Sequence, residues 1–176
     1  MIDFGHCTEE ELWKYVATHL KKEGIDTILV GGAVVAIYSE GIYHSGDLDF
    51  ILESMFTKGL EKAMNNIGFK KHGRHYIHPA CEHLFVEFPS GPIGIGSDYS
   101  IEPVEMEIQN VAIKILSPTD CVKDRLASYI FFSDRDGLDQ ALMVAKRQNV
   151  NMQSIEIWCK REGHPETYTE FCQLLR

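Results

Sequence analysis

The chain has 176 residues, with 17 Lys and Arg against 26 Asp and Glu, which gives a formal net charge of −9. Apolar residues make up 44% and charged residues 24%, a composition that excludes a disordered or collagen-like chain. The acidity argues against a protein that holds nucleic acid by bulk electrostatics, because such domains are usually basic. It leaves room for phosphate binding through a metal ion, since such a site needs carboxylates.

The cysteines and the N-terminus predict a cytoplasmic protein. The five cysteines are odd in number, widely spaced and free of any Cys-x-x-Cys pair, which argues against a disulfide scaffold. Residues 1–16 are acidic and lack the basic start and apolar stretch of a signal peptide. The apolar runs are far shorter than the roughly 20 residues that a membrane span needs. We therefore expect no membrane partner.

Helices and strands alternate in the first two thirds of the sequence. Thr8 and Glu11 have the spacing of a capping box, which places the start of the first helix. The predicted elements are, in chain order, a helix over 9–22, a strand over 27–30, a short helix over 33–38, a strand over 47–52, a helix over 55–67, a hairpin or irregular strand pair over 69–79, and strands over 83–88, 101–108 and 111–116.

The last third is predicted to be helical. Pro118 suits the first turn of a helix that Ser117 caps. Further helices are predicted at about 136–148, 153–162 and 166–174. The fold class is therefore α+β with α/β character, a small mixed sheet flanked by helices and followed by a helical portion. We expect a core over 1–116 with a helical portion over 117–176 packed on it, or one single domain.

Asp47 and Asp49 form the pair of acids with the clearest functional context. On a strand, residues two apart point to the same face, roughly 6.5–7 Å apart along the backbone, where they can share a divalent cation. Their strand is otherwise apolar, and two ionised acids there are costly to desolvate without compensation. The other pairs of acids are explained by their positions without a functional role. Glu9/Glu11 lies at a helix start, Glu105/Glu107 on an exposed edge strand, and Asp134/Asp136 at a helix cap.

Gly31 and Gly32 follow a predicted buried strand and open a helix. Without a Cβ, their backbone can approach a phosphate closely and present N–H groups at the helix N-terminus. A plain strand-to-helix turn is the alternative. Ser45, two residues before Asp47, supplies a hydroxyl donor or caps a turn.

Residues 30–50 resemble the signature of the polymerase-beta-like nucleotidyltransferase superfamily. They read Val-Gly-Gly and Ala-Val-Val-Ala-Ile-Tyr, then a loop, then Ser-Gly-Asp-Leu-Asp-Phe. This segment is most similar to small bacterial members, the minimal nucleotidyltransferases and the toxin halves of abortive-infection toxin–antitoxin pairs. The resemblance implies that Gly31 and Gly32 hold nucleotide phosphates and that Asp47 and Asp49 ligate Mg²⁺. Glu87, in Leu-Phe-Val-Glu-Phe, best matches the third carboxylate. The predicted order of elements agrees with a nucleotidyltransferase-type core.

The resemblance implies transfer of a nucleoside monophosphate from an NTP such as ATP to a hydroxyl acceptor, with Mg²⁺ or Mn²⁺ as cofactor. The acceptor is a small molecule, a tRNA end or a protein. Asp47, Asp49 and Glu87 are then both catalytic and metal-binding, while Ser45 joins the glycines as a nucleotide-binding residue. Lys123 and Arg125 are triphosphate or base contacts, or solvated helix charges. The alternative function is a non-catalytic or toxin–antitoxin-type module of the same fold that binds a partner protein such as an antitoxin.

Two other patterns have more than one interpretation. A zinc site is one interpretation of a dense group of histidines and one cysteine, but alternation along a strand favours surface or substrate-facing side chains. The group consists of His72, His75, His78, Cys81 and His83. The glycine-rich loop at 91–96 does not have the glycine spacing of a dinucleotide-binding fingerprint. Two interpretations remain: a flexible lip over the active site, or a plain loop.

Overall fold

Seven strands form one mixed sheet in the computed structural model, which describes residues 2–54 and 58–176. The strands are β1 (Thr27–Val30), β2 (Asp47–Leu52), β3 (Lys70–His72), β4 (His75–His78), β5 (Cys81–Glu87), β6 (Val104–Ile108) and β7 (Val111–Ile115). Their order across the sheet is β3-β4-β5-β2-β1-β7-β6. The strand that carries the two acids is therefore central.

The middle of the sheet combines parallel and antiparallel pairs. Strand β1 runs antiparallel to β2 and parallel to β7, and β2 runs parallel to β5. The outer pairs β3–β4, β4–β5 and β6–β7 are antiparallel. The central strands are apolar because they supply the core: Leu29, Leu48 and Phe50 are completely buried.

Helices account for the rest of the regular structure. They are α1 (Glu9–Lys22), α2 (Gly31–Tyr38), α3 (Leu60–Asn66), α4 (Pro118–Phe132), α5 (Arg135–Ala145), α6 (Met152–Arg161) and α7 (Pro165–Leu175). Thr8 and Glu11 form the predicted capping box of α1, and Ser117 caps α4 by accepting a hydrogen bond from the backbone N–H of Asp120. Within the described residues, each helix is too short or too polar to cross a lipid bilayer.

The predicted fold class is confirmed: a mixed sheet is flanked by helices, and four consecutive helices follow it. Several boundaries differ from the predicted ones, and two of them have clear local reasons. Helix α2 begins at Gly31 rather than at residue 33, because the φ angle of +68° at Gly31 lets the chain turn directly from β1 into the helix. Strand β6 begins at Val104 rather than at residue 101, after Pro103, which has no N–H to donate.

The types of element predicted for residues 55–88, a helix followed by strands, are confirmed for the described residues. The helix predicted over 55–67 corresponds to α3, and residues 55–57 of that prediction lie outside the described part of the chain. The strand pair predicted over 69–79 is the β3–β4 hairpin. Strand β5 begins at Cys81, earlier than the predicted residue 83, because its first residue already pairs with His78 of β4.

The sheet and the C-terminal helices share one hydrophobic core. Leu29 and Phe50 of the sheet belong to the same buried cluster as Val122 of α4 and Trp158 of α6. Helix α2 lies at the junction and packs against both α4 and α5. This continuity is what a helical portion packed on a sheet core requires, and the division at residue 117 stays a prediction.

Candidate active site

Strand β2 places Asp47 and Asp49 on one face of the sheet. Leu48 and Phe50, which alternate with them, point to the opposite face and are completely buried. Asp49 lies in register with Glu87 of the parallel strand β5. Residues in register on neighbouring strands project to the same face, so the three acids share it.

Gly31 packs directly against Asp49. A Cβ at position 31 would lie 2.5 Å from Oδ2 of Asp49, and a Cβ at Gly32 would lie 2.5 Å from Oγ of Ser45. Because these two glycines have no side chains, the start of α2 can approach the acids closely. No side chain caps the N-terminus of α2, so its first N–H groups receive no hydrogen bond from a capping residue.

Ser45 connects Asp47 to helix α1. Its hydroxyl donates to Oδ1 of Asp47 at 2.6 Å, and its backbone N–H donates to Oε2 of Glu9 at 2.9 Å. Oε1 of Glu9 is buried without a hydrogen-bond partner among the described residues. Burial raises the pKa of Glu9, and the negative charge of Asp47 adds to the rise. Glu9 is thus a fourth acid beside the pair.

Asp49 is the most strongly perturbed acid of the group. Its pKa is raised to about 7, first by burial and then by the negative charges of Asp47 and Glu87, while the positive charge of Arg125 opposes the rise. The acids therefore form an excess of partly buried negative charge. A divalent cation would relieve that excess, and carboxylate oxygens are the ligands that Mg²⁺ prefers.

Glu87 has basic partners on its other side. Oε1 of Glu87 contacts Nε2 of His75, its register partner on β4, and lies 3.3 Å from Nε of Arg74. In residues 2–54 and 58–176, no ligand atoms from all three acids lie within 4.8 Å of one another. Asp47 and Asp49 thus form a pair, and Glu87 stands beside it in an ion pair.

A cleft of about 330 Å³ opens beside Gly31 and Asp49. The other walls come from the loop over residues 89–95, from Leu116 and from the middle of α4, where Asp124 and Arg125 line the cleft. Arg125 donates to the carboxylate of Asp124 and, at 3.2 Å, to Oε1 of Gln140. The glycine-rich loop therefore borders the cleft that holds Asp49, as the lip interpretation predicted.

Lys123 lies elsewhere, although it is only two positions from Arg125. Its ammonium group is 3.1 Å from Oδ1 of Asp120, and it borders a second cleft of about 370 Å³ with Trp158 and Arg161. Residues two apart on a helix face different directions, so α4 cannot present both cations to the same cleft. The structure brings the other predicted residues together around Asp49: Gly31, Gly32, Ser45, Asp47, Glu87 and Arg125.

The histidines of β3, β4 and β5 disperse, as strand alternation predicted. His72 is exposed, His75 pairs with Glu87, and His78 stacks on Phe4 with ring centroids 3.7 Å apart. Nδ1 of His83 lies 3.9 Å from Sγ of Cys81, its neighbour two positions away on β5. The predicted group is therefore not one site.

Sequence reasoning missed Glu9 and Asp124 as neighbours of the acid pair. Glu9 carried only the signal of an acid in the first turn of a helix, and its partner Ser45 is 36 residues away. Asp124 directly precedes Arg125 and carries no motif of its own. Their proximity is a product of the tertiary fold.

No family model and no curated protein matches the sequence. The solved structures that share its fold include the following two. An antigenic nucleotidyltransferase-like protein from Paracoccidioides brasiliensis aligns with 78% of this chain and 73% of its own, at 16% identity and a TM-score of 0.54. The antibiotic-resistance factor ANT(2'')-Ia aligns over 88% of this chain and 92% of its own, at 9% identity and a TM-score of 0.57.

Proposed function

We propose that this chain belongs to the polymerase-beta-like nucleotidyltransferase superfamily and transfers a nucleoside monophosphate from an NTP to a hydroxyl acceptor, with Mg²⁺ as cofactor. The observation that carries the proposal is Asp49, held against Gly31 on one side and in register with Glu87 on the other. The shared fold with nucleotidyltransferase-like structures supports it.

The acids would hold the cation. Asp47 and Asp49 on β2 would be two of its ligands, and Glu87, which contacts His75, would be a third from β5. When bound, Mg²⁺ neutralises negative charge on the reacting phosphates. The partly buried acid cluster suits this role, because the charge repulsion that raises the pKa of Asp49 falls when a cation sits among the oxygens.

The chain's own groups bind and orient the nucleotide. The uncapped N–H groups at the start of α2, including those of Gly31 and Gly32, are donors for phosphate oxygens. Arg125, in the wall of the same cleft, supplies positive charge toward the triphosphate. Ser45 orients Asp47 through its hydroxyl.

The reaction is an in-line displacement. The acceptor hydroxyl attacks the α-phosphorus, the bond to the bridging oxygen breaks, and pyrophosphate leaves with its electron pair. One of the three carboxylates accepts the hydroxyl proton. The loop over residues 89–95 borders the cleft and shields the reacting phosphate from water.

The test is transfer from α-labelled nucleotides. Purified protein is incubated with each NTP, Mg²⁺ and one acceptor pool at a time: small-molecule extract, tRNA or the protein itself. We expect label transfer together with pyrophosphate release, reduced by about 10²-fold or more in Asp47→Asn and Asp49→Asn. The matched control is Glu105→Gln, an exposed acid on the edge strand β6.

Three outcomes would contradict the proposal. The first is Mg²⁺-dependent nucleotide binding that is unchanged in Asp49→Asn. The second is release of orthophosphate without pyrophosphate, which would indicate hydrolysis of the terminal phosphate. The third is absence of transfer to every pool from a chain that co-purifies in a stoichiometric complex with a second protein, which would indicate the non-catalytic, partner-binding module.

A further inference from the structure

Cys7, Cys81 and His83 meet where the segment before α1 packs against the start of β5. Cys7 lies in the segment before α1, and the other two lie at the start of β5, 74 residues or more along the chain. The two Sγ atoms are 3.9 Å apart, and Sγ of Cys81 is 3.9 Å from Nδ1 of His83. The three ligand atoms all lie within 4.8 Å of one another.

These distances suit a tetrahedral metal ion. With Zn–S bonds of about 2.3 Å and Zn–N bonds of about 2.0–2.1 Å, tetrahedral angles place two sulfurs about 3.8 Å apart and a sulfur and a nitrogen about 3.6 Å apart. The observed spacings exceed these by a few tenths of an ångström or less for the two pairs measured. A small inward movement of three side chains would complete the coordination.

The imidazole of His83 is oriented as a metal ligand. Its Nε2 lies 2.9 Å from the backbone carbonyl oxygen of Cys7, and a carbonyl only accepts, so Nε2 carries the proton and donates. In the neutral ring Nδ1 then holds the free lone pair, and this is the nitrogen that faces the sulfur of Cys81. Such a hydrogen bond from the second ring nitrogen to a carbonyl is the usual support of a metal-bound histidine.

The position is accessible to a cation and to one further ligand. Cys7 and Cys81 are buried at 4% and 0% exposure, but His83 is exposed. Cys7 also borders a cleft of about 680 Å³ between the N-terminal segment and α1. Solvent can therefore supply a fourth ligand.

We propose that Cys7, Cys81 and His83 bind a thiophilic divalent cation, Zn²⁺, with a water molecule as the fourth ligand. A bound ion would cross-link two segments that are far apart in the sequence. It joins the segment before α1 to β5 and so holds the start of the helix that carries Glu9. At roughly 3.3 Å per residue, its two ligands on β5 lie about 13 Å and about 20 Å along the strand from Glu87, so the site is separate from the acid pair.

Burial raises the pKa of the Cys7 thiol to about 11, with the neighbouring Cys81 adding to the rise. Without a cation, Cys7 is therefore a neutral thiol. Zn²⁺ binding replaces that proton, since the thiolate is the ligand form.

The test uses Co²⁺ as a spectroscopic probe and Zn²⁺ as competitor, on full-length, untagged, reduced protein. We expect one equivalent of Co²⁺ to produce thiolate-to-cobalt charge transfer and the visible absorption of a tetrahedral ion, both removed by Zn²⁺. Cys7→Ser and His83→Asn should weaken Zn²⁺ binding by about 10-fold or more. Cys172→Ser, which changes a thiol outside the cluster, should not.

Stability is a second readout that does not depend on the spectrum. Free Zn²⁺ at about 100 times the wild-type Kd should raise the ratio of folded to unfolded wild type about 100-fold, and should raise this ratio by about 10-fold or less in Cys7→Ser. His83→Asn alters an exposed side chain, so its fold can be verified by circular dichroism before metal is added.

Two results would overturn the proposal. One is a Co²⁺ spectrum that persists in both Cys7→Ser and His83→Asn, which would place the metal elsewhere. The other is a Cys7–Cys81 disulfide, seen as the loss of two hydrogen masses, in protein that takes up no Co²⁺ after reduction. Asp49→Asn should bind Zn²⁺ as tightly as wild type. The outcome of the zinc experiment is therefore independent of whether the proposed catalytic function is correct.

Discussion

At the scale of single residues, the candidate site depends on Asp49, because it combines burial with two like-charged neighbours. Ionising a buried carboxyl group beside Asp47 and Glu87 costs free energy that the unfolded chain does not incur. The protein therefore carries a destabilising group at its centre. Such a cost is typical of sites selected for binding rather than for stability.

In cation-free protein, we expect Asp49→Asn to be more stable relative to wild type at high pH than at low pH. The ordinary pKa of 3.8 rises to about 7 on folding, so the folded state binds more protons between these values. The free energy of unfolding of wild type therefore falls as the pH rises through this window and levels off above it. The gain of Asp49→Asn over wild type should grow by roughly 2–4 kcal/mol from about pH 4 to pH 8.

Urea unfolding in the presence of a chelator measures this difference. Glu105→Gln serves as the control, since its carboxylate is exposed on β6 and should show little pH-dependent difference from wild type. A gain for Asp49→Asn that is equal at both ends of the pH range would refute the assigned burial cost. Addition of Mg²⁺ at high pH should stabilise wild type more than Asp49→Asn.

Residue-level sequence reasoning found the acids but not all their contacts. The doublet at Asp47 and Asp49 was visible because period-two alternation in an apolar strand leaves few explanations for two acids on one face. Glu87 was found only through the family resemblance. Its ion pair with His75 was not predictable, because it depends on the pairing of β4 with β5 and on side-chain orientation.

At the scale of elements, the junction between β1 and α2 is the feature that brings backbone to the acids. The helix starts at the first residue after the strand, with a left-handed conformation at Gly31. The sequence predicted that the glycines open a helix, but it placed the first helical residue at position 33 rather than at Gly31. A Gly-Gly pair specifies backbone freedom, but the direction in which the chain uses that freedom depends on what it packs against.

We expect Gly31→Ala to destabilise the protein by about 2–4 kcal/mol, since it combines a strained φ angle with a Cβ only 2.5 Å from Oδ2 of Asp49. Gly24→Ala is the matched control. Gly24 has a similar φ of +75°, but a Cβ at this position would meet no atom within 4 Å, so about 1 kcal/mol of strain is its only cost.

Urea unfolding of both variants separates the crowding at Asp49 from the backbone strain that they share. Equal losses of stability would mean that the contact between Gly31 and Asp49 has no energetic weight. A larger loss in Gly31→Ala should be partly restored when Asp49 is also changed to Ala, because the double variant removes the colliding carboxylate.

At the scale of the whole molecule, the C-terminal helical portion contacts the rest of the fold through both apolar and polar groups. The indole N–H of Trp158 on α6 donates to the carbonyl oxygen of Ile95 at 3.1 Å. Ile95 lies in the loop that borders the cleft beside Gly31 and Asp49. Gln148 donates to the carbonyl oxygen of Tyr38, at the end of α2. The sequence indicated helices packed on a core, but their contacts with distant loops were beyond its periodic patterns.

We expect the sheet and the C-terminal helices to unfold in one transition. The chain has two tryptophans, and they report on different parts: Trp13 lies in α1 and Trp158 in α6. In Trp13→Phe and in Trp158→Phe, the urea midpoint from the remaining tryptophan's fluorescence should coincide with the midpoint from far-UV circular dichroism of the same protein. Separate midpoints would indicate that the two portions are independent domains.

The place of β1 in the strand order has a consequence for synthesis on the ribosome. One edge of β1 pairs with β2, the next strand along the chain, but the other edge waits for β7, whose pairing joins Ile28 to Lys114. An apolar strand thus has an unpaired edge while the residues in between are translated. Such edges are templates for wrong pairing, so the nascent chain is most prone to aggregation before β7 emerges.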